Sequence, residues 1–142
     1  MRLLIGLSLI LSVAFSCKRH GCNDPNAKNY NVSANKNNGS CLYEGQIIFW
    51  LDSTTAHSAD SANIETLFVY HNGNLMDQMS ISNHSEDAPA SDDTSGINFM
   101  LDMGYYDSGD FLFHVYDEDT IERWSSIHPV IAGSCVKVEL EW

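Results

Sequence analysis

The sequence predicts an all-β fold: a seven-stranded antiparallel β-sandwich preceded by a short disulfide-stapled loop module. Three observations predict it. From residue 46 onward, apolar and polar residues alternate in short runs, the period of a half-buried strand. Turn formers punctuate those runs, above all Asn72-Gly73. Upstream, Cys22 and Cys41 bracket a segment rich in Asn, Gly and Pro, with too little apolar content to stay folded without a staple.

The strands are justified in order. Residues 46–51 (QIIFWL) open the sandwich. Residues 64–71 (IETLFVYH) run into Asn72-Gly73, a hairpin signal, and 75–81 return. The polar stretch 82–95, with Glu86, Asp87, Asp92 and Asp93, reads as a long connection. Residues 96–102, 110–117, 123–131 and 134–142 complete the seven, the last two joined at Ala132-Gly133. No segment shows convincing helical spacing. In the last strand Val136, Val138, Leu140 and Trp142 share one face, so Cys135 belongs to the polar side with Lys137, Glu139 and Glu141.

Charge bounds the partners. The 142-residue chain carries a formal charge of −12, and 42–142 hold 18 Asp and Glu against Arg123 and Lys137. Such a surface repels phosphates and excludes nucleic acid as a partner. The excess keeps the chain soluble, and clustered carboxylates also suit a divalent cation. Lys18, Arg19, Lys28 and Lys36 all precede Leu42, a distribution that lets the start sit near anionic lipid while the acidic body is held away.

The N-terminus supplies an address. Arg2, an apolar run over 3–15 and small Ser16 make a secretory signal peptide over 1–16. The run falls short of the roughly 20 residues that a bilayer-spanning helix needs. Ala14-Phe15-Ser16-Cys17 resembles the lipobox of bacterial lipoproteins. That resemblance implies lipid on the Cys17 thiol, cleavage before it, and membrane anchoring in the cell envelope, at the outer membrane. With Cys17 so used, three cysteines remain in an oxidising setting. Cys22 and Cys41 are then the natural pair, closing a loop of about 20 residues for about 3 kcal/mol. Cys135 is left over.

Within the segment 17–43, Asp24-Pro25 and Asn38-Gly39 are turn formers, and Tyr30 and Ala34 can pack on the disulfide. The side-chain oxygens of Asp24, Asn26, Asn37 and Asn38 are candidate calcium ligands. The plainer reading is a turn-rich spacer whose Asn side chains satisfy their own backbone. Gly21-Cys22-Asn23-Asp24-Pro25-Asn26-Ala27-Lys28-Asn29-Tyr30, closing with Asn38-Gly39-Ser40-Cys41, resembles a cysteine-bounded repeat of exported proteins from Bacteroidetes-type bacteria. It departs from that pattern at Asn23, Val32 and Asn37-Asn38. Residues 44–142 resemble, less specifically, a small β-sandwich module of lipoproteins from the same group. The shared features are Gly45-Gln46, Phe49-Trp50, Val69-Tyr70 before Asn72-Gly73, Gly109-x-Phe111-x-Phe113, Trp124-Ser125 and Gly133-Ser134-Cys135. The resemblance implies fold and origin, and it carries no activity.

Chemistry is sparse. The six His show no zinc spacing, and neither a nucleophile elbow nor a phosphate-cradling Gly loop is present. Asp107-Ser108-Gly109-Asp110 and Asp117-Glu118-Asp119 read as turns, with a weak calcium site at the second as the intermediate case. Trp50 and Trp142 sit among apolar neighbours and belong in a core. Trp124, between Arg123 and Ser125, is the candidate exposed ligand-binding ring. Three short segments, Asp52-Ser53-Thr54, Asp60-Ser61-Ala62 and Asp119-Thr120-Ile121, resemble O-glycosylation acceptors of this bacterial group. The expected function is a non-enzymatic, lipid-anchored envelope protein acting structurally or binding a protein or glycan partner, without cofactor. The alternative is a calcium- or glycan-binding module.

Overall fold

A computed structural model describes residues 18–141, so the signal segment, Cys17 and Trp142 lie outside the described residues. The chain is mostly β. Among the described residues it forms nine strands and one helix: β1 (His20–Gly21), β2 (Lys36–Asn37), β3 (Tyr43–Trp50), α1 (Ser53–Ser61), β4 (Thr66–His71), β5 (Asn74–Ser80), β6 (Ile97–Gly104), β7 (Ser108–Asp117), β8 (Glu122–Ile131) and β9 (Cys135–Glu139). They make a parallel pair β1-β2, a three-stranded sheet β6-β3-β9 and a four-stranded sheet β5-β4-β7-β8. None of the described helices is long and apolar enough to cross a membrane.

Strand parity builds the core. Ile47, Phe49 and Leu51 of the β3 segment meet Leu67 and Val69 of β4, Phe113 and Val115 of β7, and Val130 of β8 in one buried cluster. Val136, Val138 and Leu140 join it from the last strand, on the face their alternation predicts. On the opposite side of β3, Ile48 and Trp50 are buried as well. The 82–95 connection lies along this side: Gln46 Nε2 donates to the Ser91 carbonyl at 2.7 Å and to Asn98 Oδ1 at 2.8 Å. A strand covered on both faces reads as a continuous apolar run, as residues 47–51 (IIFWL) do.

The stapled segment is joined to this core. Cys22 and Cys41 form the expected disulfide, and both belong to the buried cluster together with Ala27 and Tyr43. Tyr43 Oη donates to Asp24 Oδ2 at 2.8 Å, the Lys28 N–H to the Leu42 carbonyl at 2.8 Å, and Lys28 Nζ pairs with Glu44 at 2.8 Å. Tyr30, expected on the disulfide, is 45% exposed; Ala27 and Tyr43 take that place.

Three features depart from the sequence expectation. The first is α1, which was expected to be loop. Asp52 caps it, its Oδ1 accepting the Thr55 N–H at 2.6 Å. Its buried residues are only Thr55, Ala56 and Ala59, too small and few to print a helical stripe on the sequence. The second is direction: β9 runs parallel to β3, pairing Gln46 with Cys135 through Trp50 with Glu139, whereas an antiparallel arrangement was expected. Ala132-Gly133 is a crossover from the four-stranded to the three-stranded sheet, not a hairpin. The Ala132 N–H reaches the Asp107 carbonyl and the Gly133 N–H reaches the Glu44 carbonyl, so neither closes a β8–β9 ladder. The third is the strand count, raised above seven by the two-residue strands β1 and β2. At Asn72-Gly73 the expectation holds, since φ values of 50° and 75° are those of a two-residue type I′ turn.

Candidate functional site

The parity that sends Leu67 and Val69 inward sends Phe68 and Tyr70 outward on β4. On β7 it sends Phe113 and Val115 inward and Leu112, His114 and Tyr116 outward. Register then sets Phe68 opposite Tyr116 and Tyr70 opposite His114. Across β8, Ile127 lies opposite Leu112, and these two are 60% and 42% exposed. The outer face of the four-stranded sheet therefore carries a belt of rings and aliphatic groups where a solvated sheet is ordinarily polar.

A cavity of about 400 Å³ opens on this face, lined by Phe68, Tyr70, Gly73, His114, Tyr116, Asp117, Glu118 and Thr120. The Tyr70 and Tyr116 rings stand edge to face, 5.5 Å apart at 89°. His114 stacks on Tyr116 at 6.2 Å. Glu122 Oε2 accepts the Tyr116 hydroxyl at 3.1 Å and lies 3.3 Å from His114 Nδ1. That bond, with burial second, raises the Tyr116 hydroxyl above its ordinary range. Glu122 is held below the usual carboxylate range by the Ser125 hydroxyl first and by Tyr116 next.

The hairpin end of β7–β8 forms the acidic rim. Burial would push the Asp117 carboxyl up, but the Ile121 N–H and the Arg123 guanidinium outweigh it and hold it low. Glu118 accepts the Glu65 and Thr66 N–H groups at 2.8 and 3.2 Å, so it seals the start of β4. Thr120 sits at φ 61°, a left-handed backbone that a β-branched residue rarely adopts. Asp117, Glu118 and Asp119 thus form a turn, with the first two committed to protein donors. Among the described residues, no group of three or more His, Cys, Asp or Glu could hold a metal ion.

The other candidate residues fall as follows. Trp124 is not the exposed ring expected from its polar neighbours. It lies on the inward side of β8 with Ser126, His128 and Val130, packed on the core, 5.8 Å from Phe49 and stacked on His128 at 5.5 Å and 10°. Ser125 faces outward beside Glu122, while Arg123 is the extra residue of a bulge in the β7–β8 pairing and reaches the buried Asp117. Trp50 is buried as expected. Asp24 Oδ1 accepts the Asn26 N–H at 2.9 Å; this bond, and then the Tyr43 hydroxyl, hold its carboxyl below the usual range. Asn37 accepts the Gly39 N–H and Asn38 the N–H and hydroxyl of Ser40. These oxygens are turned onto their own turns. Cys135 is free and half-buried beside Lys28, Gln46 and Met100. Cys17 lies outside the described residues. Of the acceptor-like positions, Ser61 and Thr120 are exposed and Ser53 is half-buried.

Sequence reasoning missed the outward belt. Its signal is present in LFVYH and FLFHVY, where apolar and aromatic residues occupy both parities of a strand.

Fold and site together define a mostly β protein with one internal disulfide and an aromatic outer face. Comparisons with protein families, with characterised proteins and with solved structures give no match.

Proposed function

We propose that this chain is a non-enzymatic, lipid-anchored protein of a bacterial envelope whose seven-stranded β-sandwich body binds a partner or ligand through the outer face of β5-β4-β7-β8. The observation that carries the binding role is the outward belt of Phe68, Tyr70, His114 and Tyr116, continued by exposed Leu112 and Ile127. Exposing these groups in water costs free energy that an occupant recovers. The address rests on the lipobox-like Ala14-Phe15-Ser16-Cys17 and on the Bacteroidetes-type repeat spanning Cys22 to Cys41. Anchoring at Cys17 would place the body at the outer membrane, with a protein or a glycan of the envelope as its partner and no cofactor required. A glycan is favoured as the second reading because flat rings suit pyranose faces.

A photo-crosslinking residue at position 70 of the full chain, in its native envelope, tests the binding role. A discrete adduct that is absent from a control at exposed position 92 and lost with Tyr116→Ala supports it. Equal adducts at both positions, or none, overturn it. Labelling with a fatty-acid analogue that persists in Cys17→Ser overturns the anchor.

A further inference from the structure

We infer that the cavity between β4, β7 and the 117–122 turn takes an alkylated ammonium group, a quaternary ammonium above all. The inference rests on the outer-face binding role and names its ligand class.

The walls are aromatic. Tyr70 and Tyr116, perpendicular at 5.5 Å, offer a π face and a ring edge at one corner, and Phe68 stands opposite Tyr116 on the paired strand. Ring faces carry negative potential and attract a cation that has shed little water. A quaternary ammonium fits that description, being both charged and apolar. The cavity, at about 400 Å³, has room for the charged head and the first atoms of its carrier.

The charge around it agrees. Glu118 lines the cavity and Glu122 lies behind Tyr116, while Asp117, also in the lining, is paired with Arg123. The nearby cation Arg123 is consumed by Asp117. Over 42–142 the acids outnumber the bases 18 to two, so the long-range field draws cations in.

Bonding separates this ligand from a sugar. Hydroxyl groups require open, directional acceptors. Here Glu118 is turned to two backbone N–H groups, Glu122 to Tyr116 and Ser125, and Asp117 to Ile121 and Arg123. Asp117 is neutralised by Arg123, but the charge of Glu118 and Glu122 remains available to a cation, while each already accepts from protein donors.

The test titrates the full chain with choline, with its neutral isostere 3,3-dimethylbutan-1-ol, and with N-acetylglucosamine, following the ring signals of Tyr70 and Tyr116 by NMR. Choline shifts both saturably, the isostere binds about ten-fold more weakly, and added salt weakens choline alone. Tyr116→Phe keeps the affinity because it keeps the ring, and Glu122→Gln lowers it about three-fold. Equal binding of choline and its isostere reduces the site to an apolar cavity and overturns the inference, as does the absence of a saturable shift. A saturable shift with N-acetylglucosamine but not choline overturns the ammonium and leaves the outer-face role standing; that role fails separately in the crosslinking experiment. The comparison of ligands on the wild-type chain decides the matter even where a variant fails to fold.

Discussion

Arg123 directs both Nε and Nη2 onto a single oxygen of Asp117, at 2.7 and 2.6 Å, while the other oxygen takes the Ile121 N–H at 2.8 Å. Asp117 is buried, and these contacts lock the β7–β8 hairpin beneath the aromatic cavity. Arg123→Ala leaves a buried carboxylate half-satisfied. The expected loss is about 2 kcal/mol, below the fully buried case because the guanidinium is 29% exposed. Urea denaturation measures it. Because the folded carboxyl titrates below the ordinary 3.8, its contribution is complete above that pH and disappears as pH falls through the folded value. Arg123→Ala therefore flattens the acid limb of the stability curve.

His128 gives a second pH dependence at higher pH. Its Nε2 is buried without a hydrogen-bond partner, and burial lowers its pKa from the ordinary 6.5. Between the folded value and 6.5 the unfolded chain binds the extra proton, so stability rises with pH through that window and is level above it. Below the folded value the effect is again level. His128→Phe keeps a ring against Trp124 and removes the slope, read from urea midpoints across the mildly acidic range.

At Gly45 the backbone of β3 passes so close to β8 that an added Cβ would overlap Val130 Cγ1 and lie 3.3 Å from Met103 Sδ and the Ile131 carbonyl. Val130 is fully buried and has nowhere to go. Gly45→Ala is expected to cost about 1–3 kcal/mol in thermal melts. Adding Val130→Ala recovers part of that cost, and strict additivity of the two changes refutes the contact.

Removing the staple, through Cys22→Ala with Cys41→Ala, is expected to cost about 3 kcal/mol, or the full contribution of a loop of that length. Both sulfurs are members of the common core, so the loss extends to the body and a single melting transition moves down. Reductant added to the wild-type chain reproduces the shift. A body transition that stays in place refutes the coupling.

Calcium offers a fifth contrast. Asp24, Asn37 and Asn38 already accept local donors, so melting curves in calcium and in chelator are expected to coincide. A higher transition in calcium that Asp24→Asn abolishes restores these residues as ligands.

The strands were legible because half-buried strands print a two-residue alternation, and the Asn72-Gly73 turn because φ > 0 at both positions demands such residues. The Cys22–Cys41 pair was legible because a polar segment needs a staple. The helix Ser53–Ser61 was not, since three small buried residues leave no stripe. Nor was the β3–β9 direction, because pairing across most of the chain leaves no local trace. Trp124 misled through its neighbours: Ser125 faces outward and Arg123 sits at a bulge bound to Asp117, so neither marks the setting of the ring. LFVYH reads as an ordinary half-buried strand, and that alternation alone does not show that Phe68 and Tyr70 form an aromatic outer face.

The seat of β3 between β6 and β9 imposes a timetable on the chain. Among the described strands β3 precedes β9 by most of the chain. Until β9 pairs, one edge of the most deeply buried of the described strands offers unpaired N–H and C=O groups to any other chain nearby. Nascent molecules stalled or cut before Cys135 should thus be aggregation-prone intermediates rather than smaller folded proteins. Cys135–Glu139 act as the latch that turns a sticky precursor into a finished one.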